Sequence, residues 1–137
     1  MKDPNRNDYI FNLGLEQVRE IAFQTEDLIG MEAMIESKKN KVAVDVESIS
    51  SQVAKAREHK KITGTTPDPE WYRRVKSALR YKRRELSKLE TMHRMVHDIR
   101  IDREQKRFEK RFFDTAKDLL PEEIFASLCE TAKQTTF

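Results

Sequence analysis

Apolar residues recur every seven positions through much of the first half of the chain. Ile21, Leu28, Ile35, Val42 and Ile49 form the series, and Ala56 extends it. Val18, Val46 and Val53 occupy the companion position four residues later in the heptad. A repeat averaging 3.5 residues is the seam of a helix that packs lengthwise on another helix. The pattern predicts one helix over residues 8–60. Its weak point is ESKKNK, residues 36–41, around which the companion positions hold Glu32 and Lys39. The next stretch, VAVDVESIS, alternates like a strand and is rich in β-branched residues. Val42, Val46, Ile49 and Val53 nevertheless keep the phase of the upstream seam, which favours helix.

A second stripe runs through Val75, Leu79, Leu86, Leu89, Val96 and Ile99, with Met92 beside it and Phe108, Phe112 and Ala116 continuing it. It predicts a helix over 69–118. Pro121 then turns the chain, and PEEIFASLCETA predicts a short helix over 121–134 with Ile124, Phe125, Leu128 and Ala132 on one side. The last residues, KQTTF, are expected to fray.

Between the two long helices lies KITGTTPDPE, residues 61–70, the one stretch rich in turn signals. His59, Lys60 and Lys61 suit the negative end of a helix, and Gly64 suits the left-handed residue just past it. Asp68 can cap the next helix, with Pro69 in its first position and Glu70 near its positive end. Asp3-Pro4 repeats that start signal near the beginning, with Asn7-Asp8 as a second candidate. A turn at 61–68 is short enough to demand antiparallel neighbours. At 1.5 Å per residue each arm would be about 75 Å long. The expected fold is all-α: a long, coiled-coil-like antiparallel helical hairpin with a short third helix, in one domain spanning 1–137. The hairpin would bring Tyr9, Ile10, Phe11 and Leu13 together with Phe108, Phe112 and Phe113 in a small core closed by the third helix. Lateral apolar residues such as Met31, Met34 and Ile101 would then be buried by a second chain, giving a homodimer that forms a four-helix bundle.

Composition agrees with long helices: of 137 residues, 37% are charged and only 3 are Gly and 4 Pro. The net charge of +3, together with apolar residues at helical spacing, argues against disorder. Cys129 is the single cysteine, so no disulfide forms within the chain, which fits a reducing compartment. The first residues, MKDPNRNDY, hold no apolar run of signal-peptide length, and no stretch approaches ~20 apolar residues. The expectation is a soluble, cytoplasmic protein without membrane contact.

Charge changes the picture more than composition does. Residues 37–91 carry 15 Lys and Arg against 7 Asp and Glu, whereas residues 1–36 carry 3 against 8. The hairpin therefore has a basic tip at the turn and an acidic first arm. The stretch DPEWYRRVKSALRYKRREL concentrates Arg73, Arg74, Lys76, Arg80, Lys82, Arg83 and Arg84 among Trp71, Tyr72 and Tyr81. At 100° per residue these cations cover too much of the helix to serve only as seam partners. Unpaired cations attract an anionic surface, and aromatics among them can stack on bases or anchor a protein interface. The plainer reading is a solvated face with Trp71 closing the end of the hairpin.

Catalytic chemistry is hard to find. His93 and His97 stand four apart, a spacing that suits a metal, but a zinc-protease helix requires Glu where Arg94 stands. Solvated or seam histidines are the reading preferred, with no metal and no cofactor; His59 is a helix-end cation. Cys129 has no identifiable base and reads as a small hydrophobe. Glu26-Asp27 and Glu122-Glu123 are sequence neighbours whose side chains diverge on a helix. No catalytic residue is assigned, and the protein is not expected to be an enzyme.

The succession DPEWYRRVKSALRYKRREL then FEKRFFDTAKDLLPEEIFASLC, covering roughly residues 68–129, resembles small helical proteins of temperate bacteriophages. LPEEIFASLC, Leu120 to Cys129, is also similar to a segment of the lambda-type phage Gam proteins, long-helical inhibitors of a host recombination nuclease. No functional residue is carried over from it. The resemblance implies an early phage protein that binds a host factor or nucleic acid. The sequence therefore points to a non-enzymatic helical binding module, a modulator or inhibitor of a host nucleic-acid enzyme or defence complex, acting by contact with a host protein or protein–nucleic acid complex. Sequence-nonspecific DNA or RNA binding through the basic stretch is the alternative, and a structural assembly component the second alternative.

Overall fold

The computed structural model describes residues 8–135; the Asp3-Pro4 start signal and the end of KQTTF lie outside them. Among the described residues the chain is all-α, with no strand. After a 3-10 helix over Asp8–Asn12 come α1 (Leu15–Gln24), α2 (Leu28–Thr63), α3 (Pro69–Leu119) and α4 (Glu122–Thr135). Residues 42–50 are helical. The chain divides into two compact units between Ile99 and Arg100, inside α3.

The helix ends follow from local chemistry. Gly64 lies at φ 72° and donates its N–H to the Lys60 carbonyl at 2.8 Å, the left-handed stop that a residue without Cβ adopts at little cost. Thr63 Oγ1 donates to the His59 carbonyl at 2.7 Å, and Lys60 and Lys61 occupy the negative end of α2. Asp68 Oδ1 accepts the Glu70 N–H at 3.2 Å and starts α3 behind Pro69. Pro121 separates α3 from α4, whose first turn carries Glu122 and Glu123.

One expected element is broken. The helix predicted over 8–60 is interrupted at residues 25–27. Thr25 is extended, at φ −74° and ψ 144°, and Asp27 caps a new helix by accepting the Gly30 N–H at 2.9 Å. Thr25 Oγ1 accepts the Asp27 N–H at 3.3 Å, holding the turn. The chain then doubles back. Phe11 lies under Lys38 of α2, 5.8 Å from ring centroid to ammonium, and its carbonyl accepts from Lys88 Nζ of α3 at 3.0 Å. α1 thus packs beside α2 rather than extending it. Asp27→Ala is expected to cost about 1 kcal/mol, read as a lower melting temperature, with Asp27→Ser retaining most of the stability. An Asp27→Ala melt identical to wild type would show that the cap does not hold this turn.

Three helices therefore share the first unit's core. Val18 and Ala22 come from α1, Leu28, Met31, Ile35 and Val42 from α2, and Leu89, Met92 and Val96 from α3, with Ile10 from the 3-10 helix. Each of these side chains other than Ala22 contributes roughly 1.5–3 kcal/mol on burial. Met31 is buried and Met34 packs against the core, beside Tyr9, Ile10 and Ile21. The lateral face expected to need a second chain at those methionines is thus covered by the chain's own beginning. Ile10 is buried in this core, and Phe11 and Leu13 pack against it.

Contacts between α2 and α3 follow one order. Arg57 meets Tyr72, Asp45 meets Lys82, Glu36 meets His93 and Glu32 meets His97. As residue number falls along α2, the partner's number rises along α3.

Candidate functional site

The start of α3 carries the basic stretch, and the helix sorts its residues into two groups. Lys82 faces α2. Its ammonium lies 3.3 Å from Asp45 and 3.7 Å from Glu85. The hydrogen bond to Asp45 raises the Lys82 pKa above its ordinary value, with burial opposing and Glu85 adding to it. A raised lysine pKa gives stability that is complete at neutral pH and is lost only as pH rises through the folded-state value. Tyr72 also turns to α2: its Oη accepts from Arg57 Nη2 at 3.2 Å, and Lys76 sits over the ring at 4.9 Å from the centroid. Hydrogen bonding from Arg57 lowers the Tyr72 phenol below its ordinary value, with burial working against it and Lys76 adding to it. Trp71 is half-buried. Tyr72 and Lys82 belong to the α2–α3 contact, and all three residues are only partly available to a partner.

The others are exposed. Arg73, Lys76, Arg80, Arg83 and Arg84 follow one another at steps of three, four, three and one residues, so all five lie within about 100° of the helix circumference. They form one stripe, about 17 Å long at 1.5 Å per residue. Among the described residues, Arg73, Arg80, Arg83 and Arg84 enter no ion pair. Shallow grooves beside the stripe are lined by Lys76, Arg80, Arg83, Arg84 and Ser87 on one stretch and by Pro67, Pro69 and Arg73 on the next. Arg74 is exposed to one side of the stripe, as is Tyr81, which is 68% exposed. Such a surface offers several guanidinium groups in a row to an anionic one.

A second cluster lies deeper along the seam. His93 Nε2 is 2.8 Å from Glu36 Oε2, and His97 Nδ1 is 2.7 Å from Glu32 Oε1. The two imidazoles stack at 6.2 Å between centroids. The sequence showed the histidine pair but treated Glu32 and ESKKNK as a defect of the seam. The defect is a polar ladder: two glutamates four apart on α2 face two histidines four apart on α3. The signal available was the matching spacing once an antiparallel register is written out. Among the described residues no group of three or more His, Cys, Asp or Glu is placed to hold a metal ion. Cys129 is half-buried on α4, and Asp27 serves as the cap of α2. No helix of the described residues is long and apolar enough to cross a membrane.

Comparison with protein-family models, with curated proteins and with solved structures finds no match to this chain.

Proposed function

We propose that the protein is a non-enzymatic helical binding module, built on an antiparallel α2–α3 hairpin and acting as a homodimer. It docks the basic stripe of α3 on an acidic surface of a host protein or protein–nucleic acid complex. The observation that carries this reading is the row of exposed cations Arg73, Lys76, Arg80, Arg83 and Arg84, four of them without an ion pair among the described residues. The ordered α2–α3 contacts support the hairpin. The phage resemblance of residues 68–129 supports the specific form, a modulator or inhibitor of a host nucleic-acid enzyme or defence complex.

Direct, sequence-nonspecific binding of DNA or RNA is the second reading, favoured by Tyr81 standing exposed beside the stripe. Two measurements separate them. In a gel shift at two salt concentrations, a generic duplex and a single strand shift only under the second reading. In co-purification from a bacterial lysate, wild type retains a protein that Arg80/Arg83/Arg84→Glu does not. Equal behaviour of wild type and variant in both assays would remove the stripe from either reading.

A further inference from the structure

The second unit, α3 from Arg100 together with α4, is built differently from the first. Between residues 100 and 134 no side chain is fully buried, whereas the first unit has a continuous core. α4 folds back along α3: Phe113 and Phe125 meet edge to face at 5.0 Å. The cleft between them is lined by Phe108, Phe112, Phe113, Phe125, Leu128 and Ala132. Its rims stay open. Phe108 is 65% exposed, Phe112 67% and Phe113 48%, and Phe108 and Phe112 stack at 6.3 Å. At ~200 Å² per ring, these three side chains alone expose roughly 350 Å². That already reaches the size of the largest apolar patch on a typical monomer, and Ile124 and Leu128 adjoin it.

Charge identifies what covers the patch. Residues 100–113 carry 6 Lys and Arg against 3 Asp and Glu, and residues 114–135 carry 2 against 5. The unit is neutral as a whole but polar along its length. Arg100–Glu104 and Lys106–Asp102 pair within α3. Among the described residues that leaves Arg107, Lys110 and Arg111 without an ion pair on one side of the phenylalanines, and Asp114, Asp118, Glu122 and Glu123 without one around the α3–α4 turn, against the single cation Lys117 there. A target of one charge sign would be attracted at one end and repelled at the other. A second copy, turned end for end, meets opposite charge at both ends.

We propose that this face of the second unit is the contact between two copies of the chain, paired antiparallel about a twofold axis near Phe112. Phe108 and Phe112 of one copy close the cleft of the other, and the basic 107–111 segment of each lies against the acidic turn of its mate. An isologous contact of this kind uses one patch twice and closes without further growth. The inference deepens the two-copy part of the reading above and is independent of what the stripe near residue 80 binds.

Light scattering of the purified full chain at micromolar concentration tests it. Wild type is expected at twice the 16.2 kDa chain mass. Phe112→Asp is expected at the single-chain mass with an unchanged melt of the first unit. Arg107/Lys110/Arg111→Glu and Asp114/Asp118→Lys are each expected to dissociate at least tenfold more readily than wild type, and an equimolar mixture of the two to recover the double mass. A wild-type monomer overturns both the two-copy reading and this surface. A dimer indifferent to Phe112→Asp overturns the surface alone. Dissociation by Phe112→Asp without recovery in the charge-swapped mixture overturns the antiparallel sense.

Discussion

Met92→Ala is expected to destabilise the first unit by about 2–5 kcal/mol. Met92 is fully buried, in a core to which every helix of the unit contributes: Val18 and Ala22 from α1, Ile35 from α2 and Val96 from α3. Deleting its side chain opens a hole in the core that all three helices build. The Glu36–His93 and Glu32–His97 contacts also tie α2 to α3 next to it, which opposes collapse of the hole. A core of this size leaves little in reserve, since whole domains are stable by only about 5–15 kcal/mol. Val44→Ala is the matched control: Val44 lies on the same α2 but is 64% exposed, and a change within ~0.5 kcal/mol is expected. Urea unfolding followed by helical circular dichroism measures both. A Met92→Ala loss below about 1 kcal/mol, or one no larger than that of Val44→Ala, would mean that the three helices do not share a common core.

The seam was legible because burial is periodic. Val18, Leu28, Ile35, Val42 and Val53 are buried at the positions the heptad assigns, as are Leu79, Leu89 and Val96 on α3. The ends of α2 and α3 were legible because Gly64, Asp68 and Pro69 act on their own backbone. The reversal at residues 25–27 is hidden by the heptad itself. Ile21 and Leu28 are seven apart and both pack on the core, yet the chain turns between them. A heptad spacing records that two residues face the same core; it does not record that the backbone between them is straight. The local signal was present in Asp27, which caps α2 through the Gly30 N–H, but the running phase outweighed it. The partition of the basic stretch was also out of reach, because whether Lys82 or Arg83 points at Asp45 depends on where α2 lies. The stripe became visible only once Lys82 and Tyr72 were assigned to α2.

Arg80/Arg83/Arg84→Glu is expected to abolish binding by the stripe while leaving the fold intact. The three arginines are exposed and, among the described residues, enter no ion pair, so reversing them removes no packing. Three charges change sign across less than two helical turns, a net change of six units, and a surface that attracted an acidic target repels it. The size of the effect depends on the target, and salt separates the cases. Five cations on five phosphates of a duplex would give a slope of about −4.5 in log affinity against log salt, or about a 500-fold loss between 50 and 200 mM. Keeping only Arg73 and Lys76 would lower that slope to about −1.8. An acidic protein surface releases fewer condensed counterions, so its salt dependence is shallower and the triple variant acts on encounter rate as well as on affinity. Retention of a host protein by wild type, lost in the variant and only modestly weakened by salt, supports the protein-contact reading. A steep slope on bare duplex that flattens in the variant moves the function to nucleic acid. A variant that binds either target as wild type does shows that these arginines form only a solvated helix face.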